Sequence, residues 1–320
     1  MGCSTAGEIF DTQLTSERFV LQIMKFEKTI LRLVHSKISS SIESQKVGEQ
    51  IAHKLNVEKL KSIFVLSDGL TVNGSQLTKG ISSVLSEDVV VTGGLAGDNE
   101  RFEKTWVLVD NQPLEEHIVA IGFYGEDFYV SSASKGGWES LGLKRKVTKS
   151  KDNILYELDG QPALKLYKHY LGERAEGLPS TGLLFPLGLY EKGEIKVRTI
   201  LAVDEEYQSI TFAGDIPSGS TVTLMKASLS SLVEGASQAA KEMHCNTQMS
   251  STLCCIAISC VGRRLVLGQR VEEEIEAVMN ELPPKTMQIG YYSYGEISPA
   301  IADACDLYNQ TMTLTLIGEY

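Results

Sequence analysis

The chain has 320 residues, 42% hydrophobic and 22% charged, the balance of a soluble globular protein with room for two domains of ordinary size. Its 41 acidic against 30 basic side chains leave a net charge of −11, which argues against a partner held through phosphates. No apolar run reaches membrane-span length, no basic-then-apolar leader opens the chain, and the six sparse cysteines read as reduced thiols, so a cytoplasmic protein is expected.

The chain opens on Gly2-Cys3-Ser4-Thr5-Ala6-Gly7-Glu8-Ile9, a frame of Gly, four residues and Gly-Glu-Ile. The same frame returns as Gly290-Tyr291-Tyr292-Ser293-Tyr294-Gly295-Glu296-Ile297. A strand is expected after each copy, Phe19–Phe26 and Met312–Ile317, closed by Glu27 and Glu319 respectively. A repeat at this separation suggests two related halves whose turns sit at equivalent strand ends. The second copy has a helix-like and a strand-like run before it and the first has none, so the first domain is expected to be incomplete at its start.

Helical spacing of Val47, Ile51 and Leu55 predicts a helix near 45–55, and a second runs from Ser75 to Leu85. Strands are expected at Lys61–Ser67, Asp88–Thr92, Lys104–Val109 and His117–Phe123. Alternating strands and helices predict an α/β fold of mixed layers, two related domains with mixed sheets and packed helices. Residues 131–151 lose large apolar side chains and carry Lys144-Arg145-Lys146, which places a boundary between domains at 1–140 and 141–320. Beyond it a helix is expected over Asn153–Leu171, strands at Ile195–Val203, Ser209–Phe212 and Leu253–Val261, and helices at Ser228–Met243 and Val271–Leu282.

The chemistry is that of binding. No G-x-S-x-G elbow, H-E-x-x-H or paired C-x-x-C occurs, so no enzyme is expected; a hydrolase using Cys3 as nucleophile is the rival class. Cys254, Cys255 and Cys260 read as buried apolar thiols, and His244-Cys245 is the pair to watch for haem or metal. Gly93-Gly94-Leu95-Ala96-Gly97-Asp98 ends a strand, where α/β sheets hold ligands, without the residues of a phosphate loop. Tyr291, Tyr292 and Tyr294 can enclose a guest, so their segment is expected to line the main pocket, with Gly93, Gly94, Gly97 and Asp98 as the opposing rim. Glu296 would orient an amine or pair with Arg263 or Arg264. Arg198 and Arg263 suit either a ligand carboxylate or a protein one, Glu8 and Glu296 being the evident partners.

These segments resemble the FIST family of signal-transduction sensory domains. The resemblance is carried by Cys3–Ile9, Ser67–Leu70, Gly93–Asp98, Leu158–Leu164, Phe185–Gly188, Ser259–Arg264, Tyr294–Pro299 and Asn309–Met312, in that order. It implies an N-terminal and a C-terminal FIST domain and a non-enzymatic sensor of small ligands, amino acids above all. Cys3, Ser4, Thr5 and Asn309 join the candidate ligand residues on the same ground. The resemblance implies an output through a separate histidine kinase, chemoreceptor or cyclic-dinucleotide enzyme. No resident cofactor is expected; a haem-binding nitric oxide sensor is the alternative within the family.

Overall fold

The computed structural model describes residues 1–191, 193–243, 252–300 and 303–320, and His244-Cys245 lie outside them. Two six-stranded mixed sheets and one eight-stranded sheet carry the architecture, with a small three-stranded sheet beside them. Among the described residues there are six α-helices: α1 Ser44–Leu55, α2 Gly74–Ser82, α3 Ala163–Leu171, α4 Leu229–Glu242, α5 Val261–Leu267 and α6 Val271–Glu281. The α/β class with mixed sheets is therefore as expected.

The first six-stranded sheet runs Asp303–Tyr308, Gly295–Ala300, Val90–Leu95, Leu60–Ser67, His117–Tyr124, Ile30–Lys37. The second runs Gln13–Thr15, Glu8–Phe10, Met287–Ser293, Cys254–Cys260, Met312–Glu319, Phe128–Lys135. The two orders are the same: a hairpin, a parallel strand pair joined through helix, then two antiparallel strands. In each sheet the hairpin comes from the far end of the chain. Glu8–Phe10 pairs with Met287–Ser293, and Gly295–Ala300 pairs with Val90–Leu95. The expected relation between the halves is real, and the two Gly-Glu-Ile segments do sit in equivalent places.

Alternation along the strands explains the layering. Ile63 and Val65 face a core shared with α1 and α2, while Phe64 and Leu66 join Cys254, Ile258 and Tyr291 in a core between the sheets. On the other sheet Cys255 and Ala257 face the side covered by α4 and α6. Helices thus cover the outer faces of two sheets packed on each other. Local signals fix the helix starts: Asn73 Oδ1 accepts from Gln76 N at 3.1 Å to begin α2, and Ser228 with Ser231 forms a capping box at α4.

A boundary at residue 140 does not divide the sheets, because both six-stranded sheets draw strands from either side of it. The part with its own core instead runs through the eight-stranded sheet from Glu139 to Lys226, with α3 against it. Low apolar content at 131–151 reflects strands with a solvated face, Phe128–Lys135 and Glu139–Lys151, rather than a linker. The helix expected over Asn153–Leu171 begins only at Ala163. Asp159 and Gly160 both take positive φ, 51° and 74°, and turn Ile154–Leu158 back into a hairpin with Gln161–Pro162.

Phe19–Phe26 is not a strand either; Phe19, Leu21 and Ile23 stand exposed, and only Met24 and Phe26 pack on the inter-sheet core. Glu27 and Glu319 instead meet, the Glu27 amide donating to the Glu319 carboxylate at 2.6 Å. The strand expected at Lys104–Val109 shortens to Val107–Val109.

Candidate functional site

The larger cavity, of about 640 Å³, opens between the layered body and the eight-stranded sheet. It lies past the carboxyl ends of the parallel strands, reached by Gly69 and Leu70 after Leu60–Ser67, by Leu95, and by Val261 after Cys254–Cys260. That is where open α/β sheets hold ligands. Its far wall is made by Leu183, Thr199, Ile200, Phe212 and Ala213.

Tyr294 stands where the swapped hairpin enters. Its amide donates to Leu95 O at 3.3 Å and its ring stacks on Phe102, centroids 4.5 Å apart. Its hydroxyl donates in a short hydrogen bond to the Asp98 carboxylate. That carboxylate also collects the amides of Phe102 (2.9 Å), Glu103 (2.9 Å) and Lys104 (2.8 Å). Burial acts to raise the Asp98 pKa, but the Tyr294 hydroxyl and the three amides together hold it below the usual carboxylate range. Burial, with Asp98 beside it, pushes Tyr294 well up, so its hydroxyl is a neutral donor. Asp98 thereby fixes the loop that carries Phe102.

The polar side chains on this cavity are Ser41, Asn73, Glu100, Asn153, Ser180, Thr199 and Tyr294. Asn73 is committed to capping α2 and donates Nδ2 to Asp215 at 3.0 Å, and Asn153 donates to Phe212 O at 2.7 Å. The Thr199 hydroxyl is buried without a hydrogen-bond partner among the described residues. A largely apolar wall with a few polar groups is the form of a small-molecule site.

Of the residues expected from the sequence, Tyr294 lines this cavity and Arg198 lines a second, smaller one. The others brace the fold, Asp98 by holding the loop that brings Phe102 to this cavity. Arg263 is fully buried and donates Nε (3.0 Å) and Nη2 (2.6 Å) to Glu274, whose other oxygen accepts from Ser259 (3.0 Å) and Tyr292 (2.7 Å). Its partner is therefore neither Glu8 nor Glu296, since α6 carries Glu274 inward against α5. Arg264 bonds Ala6 O, Asn99 and Ser16.

Glu296 is fully buried, accepting from Ser293 at 2.7 Å and from the Thr311 amide and hydroxyl at 3.1 and 2.9 Å, and does not line the cavity. Burial pushes its pKa up to about 7, against the opposing pull of Ser293, Thr311 and Arg263. Glu8 repeats the arrangement, taking the Thr5 hydroxyl at 2.6 Å. In both copies the hydroxyl three residues earlier braces the glutamate, so the repeated carboxylate holds a turn.

Tyr291 and Tyr292 lie in a strand rather than a loop. Tyr291 meets the Cys3 thiol, which burial pushes up to about 12 with Tyr291 opposing. Ser4 accepts from Trp106 N at 3.1 Å, and Gly97 donates to Ser4 O at 3.1 Å. Gly93 lies opposite Val65, where a Cβ would come 1.9 Å from Val65 O, and Gly290 repeats this against Ala257 O at 1.7 Å. Gly94 packs under Tyr291, where a Cβ would sit 2.9 Å from its hydroxyl. Asn309 is buried, with neither amide atom partnered among the described residues. The glycines thus serve strand-to-strand approach; from this segment Leu95 lines the cavity and Asp98 acts on it through Tyr294 and Phe102.

Sequence reasoning missed Phe102, Thr199 and Ala213. A signal existed only at Asn73, whose spacing to the following helix marks a cap. The far wall follows from how the eight-stranded sheet docks, which no local pattern encodes.

Comparison with known proteins bears on the identity of this arrangement. A protein of Methanocaldococcus jannaschii, itself uncharacterised, is 24% identical over 260 residues, covering 73% of this chain and 49% of its own length. The chain thus spans about half the length of that curated relative. The FIST N domain matches residues 1–161 and the FIST C domain residues 163–299, the order expected from the motifs. With both domains matched along most of its length, the chain belongs to the FIST family, whose domains are sensory modules of signal transduction.

Proposed function

We propose that this chain is a small-ligand sensor that holds its ligand in the Tyr294 cavity and signals to a separate partner. The observation that carries the reading is a roughly 640 Å³ cavity at the ends of the parallel strands, closed on one side by a hairpin from the opposite half of the chain. A ligand there touches both halves and the eight-stranded sheet at once, so its occupancy is felt by all three.

The ligand class is amino acids or comparably small polar molecules. A side chain would lie on Tyr294, Phe102 and the aliphatic wall, and the polar end would meet Thr199. The partner would be a histidine kinase, a chemoreceptor or a cyclic-dinucleotide enzyme, met in the cytoplasm. Among the described residues no helix is long and apolar enough to cross a membrane.

The protein acts without catalysis and without a resident cofactor in this proposal. A Cys3 thiol pushed up to about 12 is protonated at neutral pH, which counts against the rival reading of Cys3 as a hydrolytic nucleophile.

A thermal-shift screen with amino acids and related small acids tests the proposal. A ligand at 100 times its dissociation constant stabilises the fold by about 2.7 kcal/mol, well within detection. Titration of the strongest ligand into Tyr294→Ala and into Ala213→Phe, which fills the cavity from its far wall, should show lost affinity. Undiminished affinity in both, with each variant folded, refutes the placement.

A further inference from the structure

The smaller cavity, of about 430 Å³, lies between α2, the strand Asp303–Tyr308 and the strands Leu187–Glu191 and Glu194–Arg198. Arg198 reaches into it while only 2% exposed. Its Nε donates to Asp215 O at 3.2 Å and its Nη1 to Leu307 O at 3.0 Å. Among the described residues it forms no ion pair, and nothing accepts from Nη2. Burial lowers its pKa and Asp306, Glu191 and Asp215 oppose that from nearby, but none of these carboxylates bonds it directly, and a buried guanidinium without a direct carboxylate partner is costly.

The neighbouring charges are already engaged. Lys196, equally buried, is held by Asp306 and by Glu191 at 3.0 Å. The Asp215 carboxylate takes Asn73 Nδ2 at 3.0 Å and Gln76 Nε2 at 2.5 Å. Gly214 supplies the seat: a Cβ there would come within 3.0 Å of Arg198 Nε and 3.1 Å of Cζ, so a glycine lets the guanidinium lie against the backbone. Two carbonyls and this seat hold one face and edge of the fork and leave the Nη2 edge for a guest.

We infer that this cavity is a second ligand site, taking the carboxylate of a small organic acid on the free Nη2 edge of Arg198. The planar fork matches a carboxylate. Ser75, whose oxygen accepts the Asp215 amide at 3.2 Å, keeps its proton to donate to the same guest. A monoanion suits the site better than phosphate, because the carboxylates lining it, Glu191, Asp215, Asp303 and Asp306, already outnumber the cations Lys79, Lys196 and Arg198 and would repel a second charge. Asn73, on the wall of the larger cavity, bonds Asp215 on the wall of this one, so the two sites share a partition.

Calorimetric titration of the whole chain with acetate and with lactate, at constant ionic strength, tests this, with inorganic phosphate as the contrasting anion. Saturable carboxylate binding is expected, weakened by about tenfold or more in Arg198→Met. Lys79 is exposed on α2 at the cavity mouth, so Lys79→Glu leaves the core intact and should weaken binding several-fold. It decides the matter if Arg198→Met does not fold. No binding of either acid, tighter binding of phosphate, or unchanged affinity in Lys79→Glu overturns the inference.

Discussion

Tyr294 and Asp98, 196 residues apart, share a hydrogen bond that fastens the C-terminal Gly-Glu-Ile hairpin to the glycine loop of the N-terminal half. Tyr294 also stacks on Phe102, whose amide Asp98 holds. One aromatic ring therefore joins the swapped hairpin, the glycine loop and the cavity.

Tyr294→Phe keeps the ring and removes the donor. Asp98 retains its three backbone amides, but its own amide loses the Tyr294 hydroxyl as acceptor, so the cost should be at least that of one charge-assisted bond, about 1.5–3 kcal/mol. Urea unfolding of the variant against wild type measures it.

Glu296 makes stability depend on pH in a definite sense. Its folded-state pKa of about 7 stands above the ordinary 4.5, so its protonated form is the one the fold prefers. Its contribution is fully present below pH 4.5 and is lost as pH rises through about 7, a change of up to about 3 kcal/mol. Glu296→Gln should flatten that part of the curve, read by denaturant unfolding at pH steps from 5 to 8.

Arg263 and Glu274 are both fully buried and bonded to each other. Removing one partner strands a charge among apolar groups, so Glu274→Leu should destabilise by about 3–5 kcal/mol. Arg263→Met in the same chain should restore much of that loss, and thermal unfolding of the two single variants and the double variant shows whether it does.

The layered body was largely legible. The continuous apolar run in Lys61–Ser67 and helical spacing in α1, α2, α4 and α6 report elements that pack on neighbouring layers, and the repeated Gly-Glu-Ile marked two equivalent hairpins. What local pattern could not show was the exchange of those hairpins between sheets, since pairing partners 200 or more residues apart leave no periodic trace. The site was legible in part for the same reason. Tyr294 was readable as an aromatic at a turn, but Tyr291 and Tyr292 looked alike in sequence and lie in a strand inside the core. Arg198 inside an apolar strand and Arg263 just after one are both buried; α6 brings Glu274 into direct contact with Arg263, whereas among the described residues no carboxylate bonds Arg198.

The most direct test of ligand binding at the Tyr294 cavity is an NMR measurement on the chain with ring-labelled tyrosine and phenylalanine, saturated with the strongest ligand from the screen. Intermolecular NOEs from that ligand to the rings of Tyr294 and Phe102 are predicted, and their loss on Ala213→Phe. NOEs confined to other aromatic rings, with Tyr294 and Phe102 unaffected at saturation, would contradict the account.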